Sequence, residues 1–368
     1  MKSLVGITSI LMLLLAGGCS TSPSDSVTQR TPHPFCALPN DMAKRLDQAL
    51  AEEYQQGTFS GTVLISRQQQ QVLDCSYGEA DKQGQQLNND QTLSDIGSIA
   101  KTFTAAAVLL LQAEGQLQLS DSVGHFYADA PTDKQDISIL QLLTHQSGLD
   151  NFHNNSDFEA ISREQAEQRI LAMPLISPPG SDIAYSNAAY TLLAAIVERV
   201  SGQTFEQFVQ QRLLSPLALR STGFYTDPRL NSQPIAKGYG GQHSGERTYD
   251  KPLTWALKGA GGMLSTSKDL QRWFRALQDS EQLPAALRHQ VFLPANKKWT
   301  LGNWAISGAN GMSIWQMGGS TDFGYTALVQ YVPERDLLIV LTLNSYSDKY
   351  ANATHHRISR NLLLPLLL

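Results

Sequence analysis

Gly97-Ser98-Ile99-Ala100-Lys101 opens an apolar run, Thr102-Phe103-Thr104-Ala105-Ala106-Ala107-Val108-Leu109-Leu110-Leu111, and the reading of the whole chain turns on that stretch. Ser98 and Lys101 are three apart, so on a helix they share a face one turn apart. The run after them is apolar on every side, which marks a helix buried all round. A lysine at the head of such a helix loses its water, and desolvation lowers a lysine pKa. An easily deprotonated amine beside a hydroxyl is a nucleophile with its base. The serine falls in the first turn, where free backbone N–H groups meet developing negative charge. The stretch predicts a serine acyl-transfer enzyme.

Ser-x-x-Lys alone is a weak signal, because ordinary composition yields roughly one by chance in a chain of this length. It recurs as Ser265-Thr266-Ser267-Lys268, ahead of Asp269-Leu270-Gln271-Arg272-Trp273-Phe274-Arg275. That pattern is amphipathic, so Lys268 is expected in solvent and Ser265 or Ser267 as a helix cap.

The rest of the chain bounds the function. Its 368 residues, 42% hydrophobic and 17% charged with a net charge of −5, suffice for one large domain or two subdomains. No Lys/Arg-rich run points to nucleic acid. There is no Cys-x-x-Cys and no His-Glu-x-x-His, the eight His are scattered, and His355-His356 is expected on a solvated helix face. Neither a metal nor a cofactor is implied.

Met1-Lys2, the apolar stretch Leu4 to Ala16 and Gly17-Gly18-Cys19 resemble a bacterial lipoprotein leader. Residues 1–18 are then a signal peptide, Cys19 the lipidated first residue, and 19–39, rich in Ser, Thr and Pro, a flexible tether. The expected location is the periplasmic side of a bacterial cell envelope, with membrane contact through the lipid anchor only. Plain secretion is the alternative. Either route exposes Cys36 and Cys75 to oxidation, where a disulfide could form; two separate buried thiols fit as well.

In order, Asp41 to Gln56 reads as a helix, and Phe59 to Ser66 with Gln71 to Tyr77 as a hairpin around Gln68-Gln69-Gln70. Leu93 to about Val291 is mainly helical. Strands return at Met312 to Met317, Tyr325 to Val332 and Leu337 to Leu343, and Tyr350 to Leu364 closes as a helix. The expected fold is α+β: an antiparallel β-sheet built from both termini and flanked by helices, with an inserted all-α lobe. The domain spans 40–368, its sheet part 40–90 and 310–368, its lobe 91–309.

Two further elements carry chemistry. Tyr185-Ser186-Asn187 precedes the apolar helix Ala188 to Val200. A helix N-terminus and a neighbouring Lys⁺ favour phenolate, so Tyr185 could relay protons, and Asn187 could accept from Lys101 and donate to a substrate carbonyl. Trp315-Gln316-Met317-Gly318-Gly319-Ser320 reads as an edge strand ending in two glycines. Gly318 and Gly319 would let a substrate lie close, and the Ser320 N–H could donate to an oxyanion.

Together the three elements resemble the serine β-lactamase and penicillin-binding-protein superfamily, most closely the class C β-lactamase-related serine hydrolases, which include esterases and D-amino-acid peptidases. Leu142-Leu143-Thr144-His145-Gln146-Ser147-Gly148-Leu149, Pro179-Gly180, Ser215-Pro216-Leu217 and Gly259-Ala260-Gly261-Gly262-Met263-Leu264-Ser265-Thr266 extend the resemblance along most of the chain. It implies Ser98 as nucleophile, Lys101 as its partner, Tyr185 as general base, Asn187 as a substrate contact and His145 as structural. The relatives place Lys or His where this chain has Met317, and a thioether cannot hold a substrate carboxylate. The expected activity is hydrolysis of a small ester, amide or D-amino-acid-containing substrate. A true β-lactamase or D,D-carboxypeptidase is one rival, and a non-catalytic envelope binding protein the other.

Overall fold

Gln68 and Gln69 have φ of +50° and +60°, the left-handed pair that a two-residue hairpin turn requires. They join Phe59–Arg67 to Gln70–Tyr77, one residue longer at each inner end than the sequence pattern. The computed structural model describes residues 36–309, 311–346 and 353–368. The expected signal peptide, Cys19, most of the tether and the start of the closing helix lie outside the described residues.

The hairpin belongs to a seven-stranded sheet in the order Cys36–Ala37, Gln70–Tyr77, Phe59–Arg67, Leu337–Tyr346, Thr326–Val332, Met312–Ser320, Ala305–Ala309. Every neighbouring pair is antiparallel. Strands from both ends of the chain meet where Phe59–Arg67 pairs with Leu337–Tyr346. Cys36 stands opposite Cys75 in register, and the two are joined by a disulfide, the bonded one of the two arrangements the sequence left open.

Successive strand residues point to opposite faces, and both faces are covered. Val63, Ile65, Leu328, Ile339 and Leu341 pack with Ala43, Leu46 and Leu50 of the helix Asp41–Gln55 and with Ile358 and Leu363 near the C-terminus. Leu64, Ala327, Val329, Leu338 and Val340 join the larger core around the helix Ala100–Ala113. Every residue of that helix from Ala100 to Leu111 is buried. Its two threonines are satisfied internally: Thr102 Oγ1 donates to Ile99 O at 2.8 Å, and Thr104 Oγ1 to Gly259 O at 2.7 Å. Phe103 stacks on Trp273 at 4.1 Å. Truncating such a ring costs about 3–5 kcal/mol.

Two features differ from the sequence reading. The edge strand Ala305–Ala309 lies within the stretch assigned to the lobe. The lobe also carries a three-stranded sheet, Ser94–Asp95, Met263–Ser265 and Gly223–Phe224. These strands are two to five residues long, too short for a period-two pattern to register.

Candidate active site

Asp95 starts the site. Its Oδ1 accepts from Gly97 N–H at 2.7 Å, a local turn that holds Gly97 at φ +49°. Ile99 N–H donates to Ile96 O at 3.1 Å, so Ser98 sits on a 3-10 turn, Gly97–Ile99, that feeds the α-helix from Ala100. Asp95 is buried, its carboxyl pushed up to about 6 by desolvation, although the Tyr225 hydroxyl and the Gly97 N–H favour the anion. Sequence reasoning overlooked Asp95; Asp-Ile-Gly just before the serine was the available signal.

Lys101 is buried. Its Nζ lies 3.1 Å from Ser98 Oγ and 2.6 Å from Ala260 O. Desolvation lowers its pKa to about 7. The second Ser-x-x-Lys differs throughout: Lys268 pairs with Asp90 and Asp74, and Ser265 Oγ is bonded to Thr222. The helix cap there is Thr266, which accepts from Asp269 N–H, rather than Ser265 or Ser267.

The Tyr185 phenol faces Ser98 closely enough for the hydroxyl to favour its anion, and Lys101 Nζ lies 5.0 Å from the centre of its ring. The expected phenolate is corrected. Burial raises the Tyr185 pKa well above the ordinary range, because lost hydration outweighs the influence of the Ser98 hydroxyl and Lys101 is itself readily neutral. His145 supports Tyr185 from behind, with ring centres 4.5 Å apart. Its Nδ1 accepts from Ser186 N–H at 3.1 Å and its Nε2 faces Asn303 Oδ1 at 3.0 Å, and burial lowers its pKa to about 3. The imidazole is therefore neutral with the proton on Nε2. Ser186, not Asn187, caps the helix Asn187–Ser201. Asn187 lines the same cavity as Ser98 and Tyr185, but Lys101 bonds Ala260 rather than Asn187.

The strand Met312–Ser320 does not end at its glycines; Gly318, Gly319 and Ser320 stand opposite Leu328, Ala327 and Thr326. It is an edge only in part. Ala305–Ala309 pairs with Met312–Gln316 and leaves Met317–Ser320 open. Thr321 N–H donates to Tyr325 O at 3.1 Å, so by antiparallel alternation the Ser320 N–H points to the open edge. There it meets the serine turn. A Cβ on Gly97 would lie 2.7 Å from Ser320 N, and one on Gly319 would lie 2.7 Å from Ser98 N. Two glycines thus let the N–H groups of Ser98 and Ser320 come together as an oxyanion site would require.

Two cavities open beside Ser98. One of about 820 Å³ is bounded by Asn151, Asn187, Tyr225 and Phe323, among others. The other, about 390 Å³, is lined by Met317, Gly318, Gly319, Trp299, His355 and His356. Met317 is buried there, its sulfur 3.9 Å from Asn303 Nδ2. The histidine pair is not on a solvated face: His355 is 4% exposed and packs on Gly318, where a Cβ would lie 2.7 Å from its Nε2. The missing glycine side chain makes that room, which no helical period could reveal. Burial lowers the pKa of His355 to about 3, and that of His356 also falls. Lys258 pairs with Glu206 and Arg247 with Asp250, and among the described residues no lysine or arginine lines either cavity.

The β-lactamase family profile matches residues 42–361. The putative penicillin-binding protein PbpX of Bacillus subtilis is 30% identical over 238 residues, 65% of this chain and 60% of that protein. Penicillin-binding protein 4* of the same organism is 27% identical over 338 residues, 84% of this chain and 72% of that protein. The match therefore spans less than two thirds of PbpX. Among solved structures, the D-amino acid amidase of Ochrobactrum anthropi SV3, complexed with L-phenylalanine amide, aligns with a TM-score of 0.75 at 19% identity, covering 89% of this chain and 99% of that one. A class C β-lactamase from Rhodobacter sphaeroides aligns at 0.73 and 18% identity, covering 89% and 100%. At such identities the structural likeness is one of fold. The profile, which runs from the first helix into the C-terminal helical segment, decides the family: this chain belongs to the β-lactamase family, a family of the serine-hydrolase type.

Proposed function

We propose that the chain is an exported serine hydrolase that cleaves an ester or amide bond through an acyl group on Ser98. The observation that carries this is the buried Lys101 amine, 3.1 Å from Ser98 Oγ with its pKa lowered to about 7. A neutral Lys101 donates one N–H to Ala260 O and turns its lone pair to the Ser98 hydroxyl. Ser98 Oγ attacks the carbonyl as its proton passes to Lys101, and the negative oxygen is met by the N–H groups of Ser98 and Ser320. The protonated Tyr185 phenol gives its proton to the leaving group and is resupplied from Lys101. Water then releases the acyl group with Lys101 as base.

Met317 favours this reading over a β-lactamase or D,D-carboxypeptidase, because among the described residues no lysine or arginine lines the cavities beside Ser98 to meet a substrate carboxylate. Export and lipid attachment at Cys19 belong to the same proposal and rest on the leader sequence.

Peptide mapping of a fluorophosphonate adduct tests the nucleophile. The adduct is expected on Ser98 and absent in Ser98→Ala. An adduct on Ser265, or none on any serine, would overturn the proposal, the latter in favour of a non-catalytic binding protein.

A further inference from the structure

We propose that the substrate carries an ammonium group, primary or quaternary, which the larger cavity holds beside Asp157 and Asp322. This deepens, and rests on, the hydrolase reading above.

The charge of that cavity is one-sided. Asp157 and Asp322 line it together with Ser98, and among the described residues no lysine or arginine does. Among the described residues neither carboxylate has an ion-pair partner there. The Asp157 carboxylate accepts from Asn154 Nδ2 at 3.4 Å, and Asp322 accepts from His243 N–H through its backbone oxygen. The nearby cations are engaged: Lys251 Nζ, 5.8 Å from the Phe323 ring centre, is 2.7 Å from Glu246. His243 Nδ1 lies 3.8 Å from the same glutamate.

Asp157 is partly buried, and both desolvation and the negative charge of Asp322 raise its pKa; Lys101 and the Asn154 hydrogen bond oppose them. A third carboxyl, Asp95, lies below and also feels Asp157. Such a group is costly to keep ionised unless a cation arrives. The walls suit one. Phe158 lies edge-on to Phe323 at 5.5 Å and 6.4 Å from Tyr225, while Phe152 is 54% exposed at the rim. Aromatic faces attract cations, quaternary ammonium above all. A bound ammonium would meet two carboxylates and these rings, whereas a substrate anion would be repelled. Met317, in the smaller cavity, offers an anion nothing to offset that.

Two matched pairs of esters test the idea and locate the charge. On the acyl side, the 4-nitrophenyl ester of 4-(trimethylammonio)butanoate is compared with its neutral carbon isostere, the 5,5-dimethylhexanoate. On the leaving-group side, acetylthiocholine is compared with S-(3,3-dimethylbutyl) thioacetate. In at least one pair the cationic member should have a kcat/KM about tenfold higher or more, the size of one partly desolvated charge contact. The ratio should shrink in Asp157→Asn and in Asp322→Asn, approach one in the double variant, and fall as ionic strength rises.

Ratios of one in both pairs, in a protein whose Ser98 takes the fluorophosphonate, overturn the proposal and leave the hydrolase reading standing. So does a preference that survives in the double variant. Ser98 labelling without turnover of either cationic ester likewise removes this substrate class. A protein that neither labels nor turns over any of the four esters removes both readings.

Discussion

Gly319→Ala tests whether two backbone N–H groups, rather than side chains alone, run the chemistry. A Cβ on Gly319 would lie 2.1 Å from Ile96 O, 2.9 Å from Ile96 C and 2.7 Å from Ser98 N. All are backbone atoms, so no side chain can swing aside. Real Cβ contacts under 3.0 Å are essentially absent, so the open strand edge and the serine turn must part by about 0.9 Å or more. Displacements of about 1 Å at a reacting centre cost on the order of a hundredfold. Losing one oxyanion donor costs about 10²–10³ in kcat. The variant should therefore keep about 1% or less of the wild-type kcat on 4-nitrophenyl acetate, with KM much less affected. Overpacking should also lower stability by about 1–3 kcal/mol, so a thermal melt must accompany the assay. Gly308→Ala is the control, since its Cβ would meet nothing nearer than Met312 O at 3.6 Å. A folded Gly319→Ala enzyme within about threefold of wild type would refute the oxyanion assignment.

The remaining predictions concern the base, the third strand and the anchor. With the neutral amine as the reactive form and the Lys101 pKa lowered to about 7, kcat/KM should rise with pH through about 7; a flat profile there contradicts Lys101 as base. Lys101→Ala and Tyr185→Phe should each lower kcat about a hundredfold or more, and the double variant should be little worse than the worse single one. Strictly multiplicative losses would mean the two groups act independently. Met317→Lys or Met317→His should raise acylation by carboxylate-bearing substrates, measured against a small ester, by roughly tenfold to a hundredfold, the range of one charge-assisted hydrogen bond; an unmoved ratio removes Met317 as the selectivity element. Cys19→Ser should release the protein from the detergent phase, and a wild-type protein found wholly in the soluble periplasmic fraction refutes the anchor.

The sequence by itself determined the elements whose physics is local. An apolar run with no polar side can only be a buried helix, so Ser98 and Lys101 were placed one turn apart and the lysine desolvated. Period-two runs set the hairpin and the C-terminal strands, and the family segments set the order of the site elements. The tertiary structure alone decided what depends on contacts between distant segments. Half-buried Tyr185 packs against His145, so desolvation overrides the charges a linear reading counts. His355 and His356 pack on Gly318, an absent side chain that no helical period reports. Asp157 and Asp322 are 165 residues apart in sequence, yet Asp157 feels the charge of Asp322 across one cavity. Hydrophobic periodicity records which face of an element is buried; it carries no record of which other element buries it, and electrostatics is set by that second fact.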